Sequence, residues 1–381
     1  MKIGIVTEYY YPTLGGIQEH VHHFALEAMK LGHQVRIITS AVKDIPPDEG
    51  VADHIPITRL GRSIPIVANG SIARVTFAPN LGKRLQAIFD REKFDVIHIH
   101  APLTPTLPVL ALTRSNTVTV GTFHTNFKGS TFFSLFNKAC QKYVDHLDGL
   151  IGVSKTAVSA IKRYFDAEYR VIPNGIDTVQ FSPAVPRLPE FDAGRFHLLW
   201  VGRMEPRNGL DRMIKAFTLA SAVRRDLSLI VIGDGPLRAT YEGMVPTSLK
   251  KRVSFTGFVN SGRPALYASA DLLCVPASIS SFGITVLEGM AAGRPVIASD
   301  IDGFRDVMTN GKEGLLVDTG DPAAFRDAIL RIANDRPFAA DCARRGRATA
   351  ETYSWPRVTD AVLAYYDEAA RRRRNRRCPS A

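Results

Sequence analysis

The sequence predicts an α/β protein made of two doubly wound domains, each built on a parallel sheet, with the two sheets facing across a cleft. Three observations predict it. Short apolar strands alternate with helical patterns through the first half, as βαβ units do. The alternation lapses in the proline-rich stretch Pro183 to Gly194 and then begins again. The chain has 381 residues, too many for one core of ordinary size.

Taken in order, Lys2 to Thr7 is a strand and His20 to Leu31 a helix closed by Gly32-His33. Strands follow at Val35 to Thr39, Asp95 to His100, Val118 to Phe123 and Gly149 to Val153. Ser154 caps a helix running to Tyr164, and Pro173-Asn174-Gly175 marks a turn. After residues 183–194, read as a linker, come strand His197 to Val201, helix Leu210 to Ala222 and strand Leu227 to Ile232. Val253 to Thr256 and Leu272 to Val275 complete the pattern before a helix from Ile284 and strand Val296 to Ser299. The domains are therefore expected at 1–182 and 195–354. A C-terminal helix, 355–371, is expected to cross back to the first domain, with a disordered basic tail at 372–381.

Composition excludes several classes. Hydrophobic residues make up 45% and charged residues 22%, as in a globular protein, and no run of about 18 apolar residues exists to span a bilayer. The start, MKIGIVTEYYYP, reads as a strand and not a signal peptide, so a cytoplasmic location is expected. Cys140, Cys274, Cys342 and Cys378 lack disulfide or metal-ligand spacing, which fits a reducing compartment. The formal charge of +11 is concentrated partly in Arg371–Arg377. No aromatic-interleaved basic motif accompanies that run, so nucleic acid is not expected; an anionic membrane surface is the better partner.

The stretch from Ser281 to Phe304 carries the most chemistry. Phe282-Gly283 forms a loop where backbone N–H groups can close on a ligand, and Ile284, Leu287 and Met290 follow at helical spacing. Glu288 stands in that helix. A helix start with unpaired N–H donors beside one carboxylate suits a diphosphate joined to a ribose. Gly15-Gly16 and Gly202-Arg203 offer two further anion-binding turns, Arg203 with a forked donor for phosphate. A dehydrogenase is disfavoured: Gly15-Gly16 lacks the three-glycine spacing and no acidic residue follows the second strand.

The ordered set Gly15-Gly16, Phe123-His124-Thr125, Val153-Ser154, Pro173-Asn174-Gly175-Ile176-Asp177, Val201-Gly202-Arg203, Gly233-Asp234-Gly235 and Ser281-Phe282-Gly283 with Leu287-Glu288-Gly289-Met290 resembles the family 4 retaining glycosyltransferases of GT-B fold. Gly15-Gly16-Ile17-Gln18, Ile64 to Arg74 and Phe94 to His100 look most like the bacterial phosphatidylinositol mannosyltransferases. The resemblance implies that Gly15, Gly16 and Arg203 hold the donor diphosphate and that Glu288 takes the ribose hydroxyls. Phe282, Gly283 and the backbone at Ile284 would cradle sugar and diphosphate, with His124 beside the sugar. Tyr9, Gln18, Asn69 and Thr125 would serve the acceptor.

Two positions depart from the pattern. Asn208 stands where the family usually has lysine, and Ser280 where it usually has the first of two glutamates eight apart. Arg207 is the candidate substitute cation, and Ser280 keeps one hydroxyl for a sugar. His124, Arg203 and Glu288 are the expected catalytic residues. The implied reaction is retaining transfer of a hexose, mannose from GDP-mannose, onto a polar lipid such as phosphatidylinositol. No metal and no cofactor are expected, the nucleotide-sugar being co-substrate. A UDP-sugar with a soluble or polysaccharide acceptor, or a nucleotide-sugar-binding module without turnover, are the alternatives. Segment Arg59 to Arg91, which mixes arginine and lysine with apolar residues, reads either as an ordinary amphipathic helix with a solvated face or, together with the arginine tail, as a membrane-facing part.

Overall fold

The computed structural model describes residues 1–12, 15–41, 54–68, 71–124, 129–191, 194–259, 262–318 and 320–377. The chain forms two compact units, Met1–Gly175 with Trp355–Ala381, and Ile176–Ser354.

In the first unit, β1 (Lys2–Thr7) is a continuous apolar run because helices cover both faces of its sheet. There follow α1 (Gly16–Lys30), β2 (Gln34–Ser40), β3 (Ile57–Leu60), β4 (Arg62–Ala68), β5 (Ser71–Phe77), α2 (Leu81–Glu92) and β6 (Val96–His100). Next come α3 (Leu107–Arg114), β7 (Val118–Phe123), α4 (Thr131–Asp145), β8 (Gly149–Gly152), α5 (Lys155–Lys162) and β9 (Arg170–Val171). The sheet order is β3-β2-β1-β6-β7-β8-β9, every pairing parallel. Two apolar clusters coat it: one includes Phe24, Val120 and Tyr366, the other Leu85, Phe94, Leu107 and Phe165.

Segment 59–91 is not one amphipathic surface. It is an antiparallel hairpin, β4 with β5, followed by α2, whose Leu81, Leu85, Ile88 and Phe89 all face the core. Helix α1 begins four residues before His20, with Gly16 as its first residue and Gly15 at the N-cap.

The second unit runs β10 (Phe196–Val201), α6 (Leu210–Val223), β11 (Leu227–Ile232), α7 (Arg238–Met244), β12 (Val253–Gly257), α8 (Arg263–Ser269) and β13 (Leu272–Val275). It continues through α9 (Ile284–Ala291), β14 (Val296–Ser299), α10 (Asp302–Arg305), β15 (Gly314–Val317), α11 (Pro322–Asn334) and α12 (Arg336–Glu351). Its parallel sheet, β12-β11-β10-β13-β14-β15, has the doubly wound order that reverses between its first and fourth strands. Trp200, Phe217, Leu229 and Phe325 lie in its core.

The unit boundary falls at Gly175/Ile176, ahead of the expected 183–194 linker. Ile176 bridges Ser354 and its N–H donates to the Tyr353 carbonyl at 2.9 Å, which ties it to the second unit. The proline-rich stretch is held there too: Arg187 pairs with Asp271 at 2.8 Å and the Leu188 N–H donates to Ser269 Oγ at 2.8 Å. Low periodicity marked an irregular segment, but its side chains bind it to a domain.

Helix α13 (Trp355–Arg377) belongs to the first unit, with Tyr365, Tyr366 and Ala369 in its core. It runs through 372–377, where a disordered tail was expected. Arg373 pairs at 2.9 Å with Asp148, a carboxylate only 4% exposed, and Arg372 meets Glu168 at 3.2 Å. Arg376 Nη2 adds the Leu147 carbonyl at 3.1 Å. These arginines have partners from elements distant in sequence, so charge repulsion within the run does not unwind it.

Candidate active site

Parallel sheets of this order bind ligands beyond the carboxyl ends of their strands, beside the point where strand order reverses. In the second unit that point lies between β10 and β13, and the expected donor residues follow those two strands.

After β10, the chain turns through Gly202, Arg203 and a single 3-10 turn, Pro206–Asn208, to Gly209. Arg203 is 62% exposed and its Nη2 meets Glu205 Oε1 at 3.0 Å. Arg207 donates to the other oxygen of Glu205 at 3.0 Å, so one carboxylate holds both guanidinium groups. Asn208 turns inward: its Nδ2 donates to the Arg203 carbonyl at 2.8 Å, and its own carbonyl accepts from Trp200 Nε1 at 3.2 Å. Asn208 therefore braces the loop that carries Arg203. The next loop explains Gly233-Asp234-Gly235. A Cβ on Gly233 (φ +132°) would lie 1.9 Å from the Gly202 carbonyl oxygen. That glycine lets the loop after β11 press on the Arg203 turn.

After β13, the Ser280 hydroxyl donates to the Phe282 carbonyl, and Phe282 is buried against Tyr353 with ring centroids 5.9 Å apart. Phe282 thus packs as an anchor for the loop. Gly283 is the N-cap of α9 and Ile284 its first residue. Their amides belong to the set that an α-helix leaves without intrahelical partners.

Glu288 lies in that helix, 4% exposed. Tyr267 donates its hydroxyl to Glu288 Oε2, and Arg263 Nη2 sits 2.9 Å from Oε1. Burial beside this carboxylate pushes the Tyr267 phenol well above its ordinary range, so it stays a donor. Arg263 and Tyr267 escaped the sequence reading; they stand on α8, with no local signal that ties them to a residue over twenty positions away.

The first unit places its expected residues beside its own reversal point, between β1 and β6. Tyr9 follows β1, and its hydroxyl accepts from the Arg74 N–H at 3.3 Å. Gln18 is buried in the first turn of α1, and a Cβ on Gly15 would come within 2.7 Å of Gln18 Oε1. Asn69 and Thr125 lie outside the described residues.

His124, at the end of β7, belongs to a buried histidine cluster centred on His100. Its Nε2 shares a 2.8 Å hydrogen bond with His100 Nδ1, the rings stacked at 24°. His98, two residues before His100 in β6, lies against it with ring centroids 4.3 Å apart and planes tilted by 32°, and bonds Tyr366 and Thr122 at 2.7 and 2.6 Å. His20 Nδ1 donates to Asn174 Oδ1 at 2.8 Å. Burial, reinforced by the other rings, drives all four down: His20 to about 4, His98 to about 3, and His100 and His124 well below the ordinary value. The rings are neutral at physiological pH. His124 can therefore give or take a hydrogen bond but brings no charge. The alternation His98-Ile99-His100 does put two imidazoles on one strand face, a signal that was legible in the sequence.

A further carboxylate was missed. Glu8, 2% exposed, accepts from the Thr76 N–H and hydroxyl (3.2 and 2.6 Å), the Thr106 hydroxyl (2.9 Å) and the Leu107 N–H (3.1 Å). It fastens hairpin β4–β5 to the start of α3, beside Tyr9. Among the described residues no group of three His, Cys, Asp or Glu is placed to hold a metal ion.

Two doubly wound units in succession, with an exposed arginine after β10 and a buried carboxylate after β13 of the second, define a GT-B glycosyltransferase. Solved structures share the fold: sucrose-phosphate synthase from Thermosynechococcus elongatus (TM-score 0.77, 21% identity, 96% of this chain and 98% of that one). Anabaena Alr3699/HepE, solved with UDP and glucose, matches with a TM-score of 0.78, 19% identity and coverage of 96% and 99%. Family models for Glycosyltransferase Family 4 and Glycosyl transferases group 1 match residues 14–180 and 195–335. The chain is 32% identical over 376 residues to the phosphatidyl-myo-inositol mannosyltransferase of Mycobacterium leprae, covering 97% of each. A GDP-mannose-dependent alpha-mannosyltransferase of Mycolicibacterium smegmatis is 27% identical over 98% of this chain and 99% of its own. The chain belongs to glycosyltransferase family 4, and it is a hexosyltransferase.

Proposed function

We propose that this enzyme transfers mannose from GDP-mannose to the inositol head group of phosphatidylinositol, with retention at the anomeric carbon and without a metal ion. The observation that carries the reading is the end-to-end likeness to phosphatidyl-myo-inositol mannosyltransferases, both units included. As the glycosidic bond breaks, the departing diphosphate gathers negative charge. Arg203 and the amides at Gly283 and Ile284 are the preorganised donors for it. Glu288 is the carboxylate for the ribose hydroxyls, and its contacts with Arg263 and Tyr267 set its orientation. His124 offers a neutral hydrogen bond to a sugar hydroxyl, and Tyr9 and Gln18 are the first-unit residues for the acceptor's head group. On this reading the enzyme meets its lipid as a peripheral protein; no helix among the described residues is long and apolar enough to cross a membrane.

The experiment is transfer of labelled mannose from GDP-mannose to short-chain phosphatidylinositol, with and without chelator. The expected product is an α-linked mannosyl lipid, formed equally in EDTA. Transfer only from a UDP-sugar, or only to a soluble glycan, refutes the assignment. Asn208 and Ser280, each bonded to a neighbouring carbonyl, favour one rival reading, a module that binds nucleotide-sugar without turnover. Binding of GDP by the pure protein, with neither donor hydrolysis nor transfer, would establish that rival.

A further inference from the structure

Strands β4 and β5 form a two-stranded sheet of their own, apart from the seven-stranded sheet of the first unit. A lone hairpin is marginal in water, so contacts outside its ladder must set where it lies. Apolar burial contributes little to this, since Ile64 and Phe77 are 40% and 67% exposed. On the β4 side, the Ser63 N–H donates to the Ala41 carbonyl at 3.1 Å, just beyond the end of β2. Strand β5 is held by side chains instead.

The two residues that follow β1 do the holding. Arg74 and Thr76 stand two apart on β5, so their N–H groups point to the same edge of the strand. The Tyr9 hydroxyl accepts the first at 3.3 Å, and Glu8 Oε1 accepts the second at 3.2 Å. Glu8 Oε2 adds the Thr76 hydroxyl at 2.6 Å, while Oε1 also takes the Thr106 hydroxyl and the Leu107 N–H at 2.9 and 3.1 Å. Ser40 Oγ donates to the Glu8 carbonyl at 3.0 Å, which ties this residue's own backbone to the end of β2. Thr106 shows a further constraint. It sits at φ +74° as N-cap of α3, yet its hydroxyl does not cap that helix; its oxygen accepts the Thr76 N–H at 2.9 Å. Backbone held in so sparse a region persists where the surroundings over-determine it. Glu8 itself is buried with both oxygens engaged, which suits it to hold other groups and not to touch a substrate.

We infer that Glu8 is the positioning residue of the acceptor subsite: it clamps β5 beside the end of β1, and so sets where the hairpin and the Tyr9 hydroxyl meet the acceptor's head group. The inference rests on the reading of Tyr9 as an acceptor residue and adds what keeps that residue and the hairpin in register. Without the clamp the hairpin samples other placements, and the acceptor's apparent dissociation constant rises by the inverse of the fraction still in place. Saturating acceptor draws the hairpin back, so kcat recovers. A loss of stability alone would instead reduce the amount of active enzyme and leave KM as it was.

The test uses the full chain with GDP-mannose and short-chain phosphatidylinositol. Glu8→Ala should raise the acceptor KM by on the order of 100-fold. Thr76→Val keeps the β-branched shape and loses one bond to the carboxylate, and should raise it by about 10-fold. In both variants kcat at saturating acceptor, and donor hydrolysis without acceptor, should stay within about twofold of wild type. Glu8→Gln keeps one carbonyl oxygen for the same donors and should lie within about threefold of wild type. Amide exchange at Arg74 and Thr76 should speed up in Glu8→Ala, while that of Ile97 and Ile99 in β6 stays unchanged. An unchanged acceptor KM in Glu8→Ala and Thr76→Val, donor hydrolysis that falls in step with transfer, or unaltered exchange at Arg74 and Thr76 overturns the inference. A loss in Glu8→Gln equal to that in Glu8→Ala also overturns it, because the charge and not the placement would then matter. Should the wild type transfer to a soluble glycan and not to lipid, the lipid reading fails, and the same KM split measured with that glycan upholds the role of Glu8.

Discussion

The histidine cluster makes the first unit sensitive to mild acid, and the size of the effect follows from its geometry. His20 and His98 are buried with no carboxylate among the partners recorded for their rings, which lowers them from 6.5 to about 4 and about 3. The unfolded chain binds protons on these residues near pH 6.5, whereas the native rings refuse them. Stability is thus fully present above about pH 7 and is lost as pH falls, levelling only near the native values. At pH 5 the proton-binding ratio for one such ring is roughly thirtyfold, or about 2 kcal/mol. His100 and His124 are shifted in the same direction and deepen the loss. Urea unfolding between pH 8 and pH 5, read by a first-unit probe, should show this loss. His98→Gln can still bond Tyr366 and Thr122, and should shrink the pH-dependent loss by about 2 kcal/mol. A flat profile, an unchanged loss in His98→Gln, or ring resonances of His20 or His98 that titrate near 6.5 in the native protein would refute the reasoning.

Three further outcomes are expected. Arg203→Ala removes a charge-assisted contact to the departing diphosphate and should lower kcat/KM by roughly 10- to 100-fold with little change in melting temperature. Gly233→Ala places a Cβ 1.9 Å from the Gly202 carbonyl oxygen at φ +132°, and should cost more than about 3 kcal/mol in the second unit, measured by denaturant unfolding. Arg373→Ala leaves Asp148 buried with its closest cation gone, and should cost about 2–3 kcal/mol; calorimetry of the first unit checks it.

Strands, helices and their alternation were legible because their patterns are local. A parallel strand covered on both faces reads as an apolar run, and β1, β7, β11, β13 and β14 begin and end where that run does. The glycine turns were legible for a related reason: a backbone that closes on itself needs a residue without Cβ, as Gly233 shows. What no local pattern contained was which side chains meet across the fold. Glu288 was readable as a carboxylate in a helix, but only the packing of α8 on α9 brings Arg263 and Tyr267 to its two oxygens. Asn208 was readable as a lost lysine, but only the turn after β10 reveals it as a brace for Arg203. The arginine run at the C-terminus looked like a solvated tail because its partners, Asp148 and Glu168, lie about two hundred residues earlier. The sequence by itself determined the backbone's course and the chemical types gathered at the strand ends. Tertiary structure alone decided which charges are paired and which apolar faces are covered, since pairing and burial depend on distances through space, not along the chain.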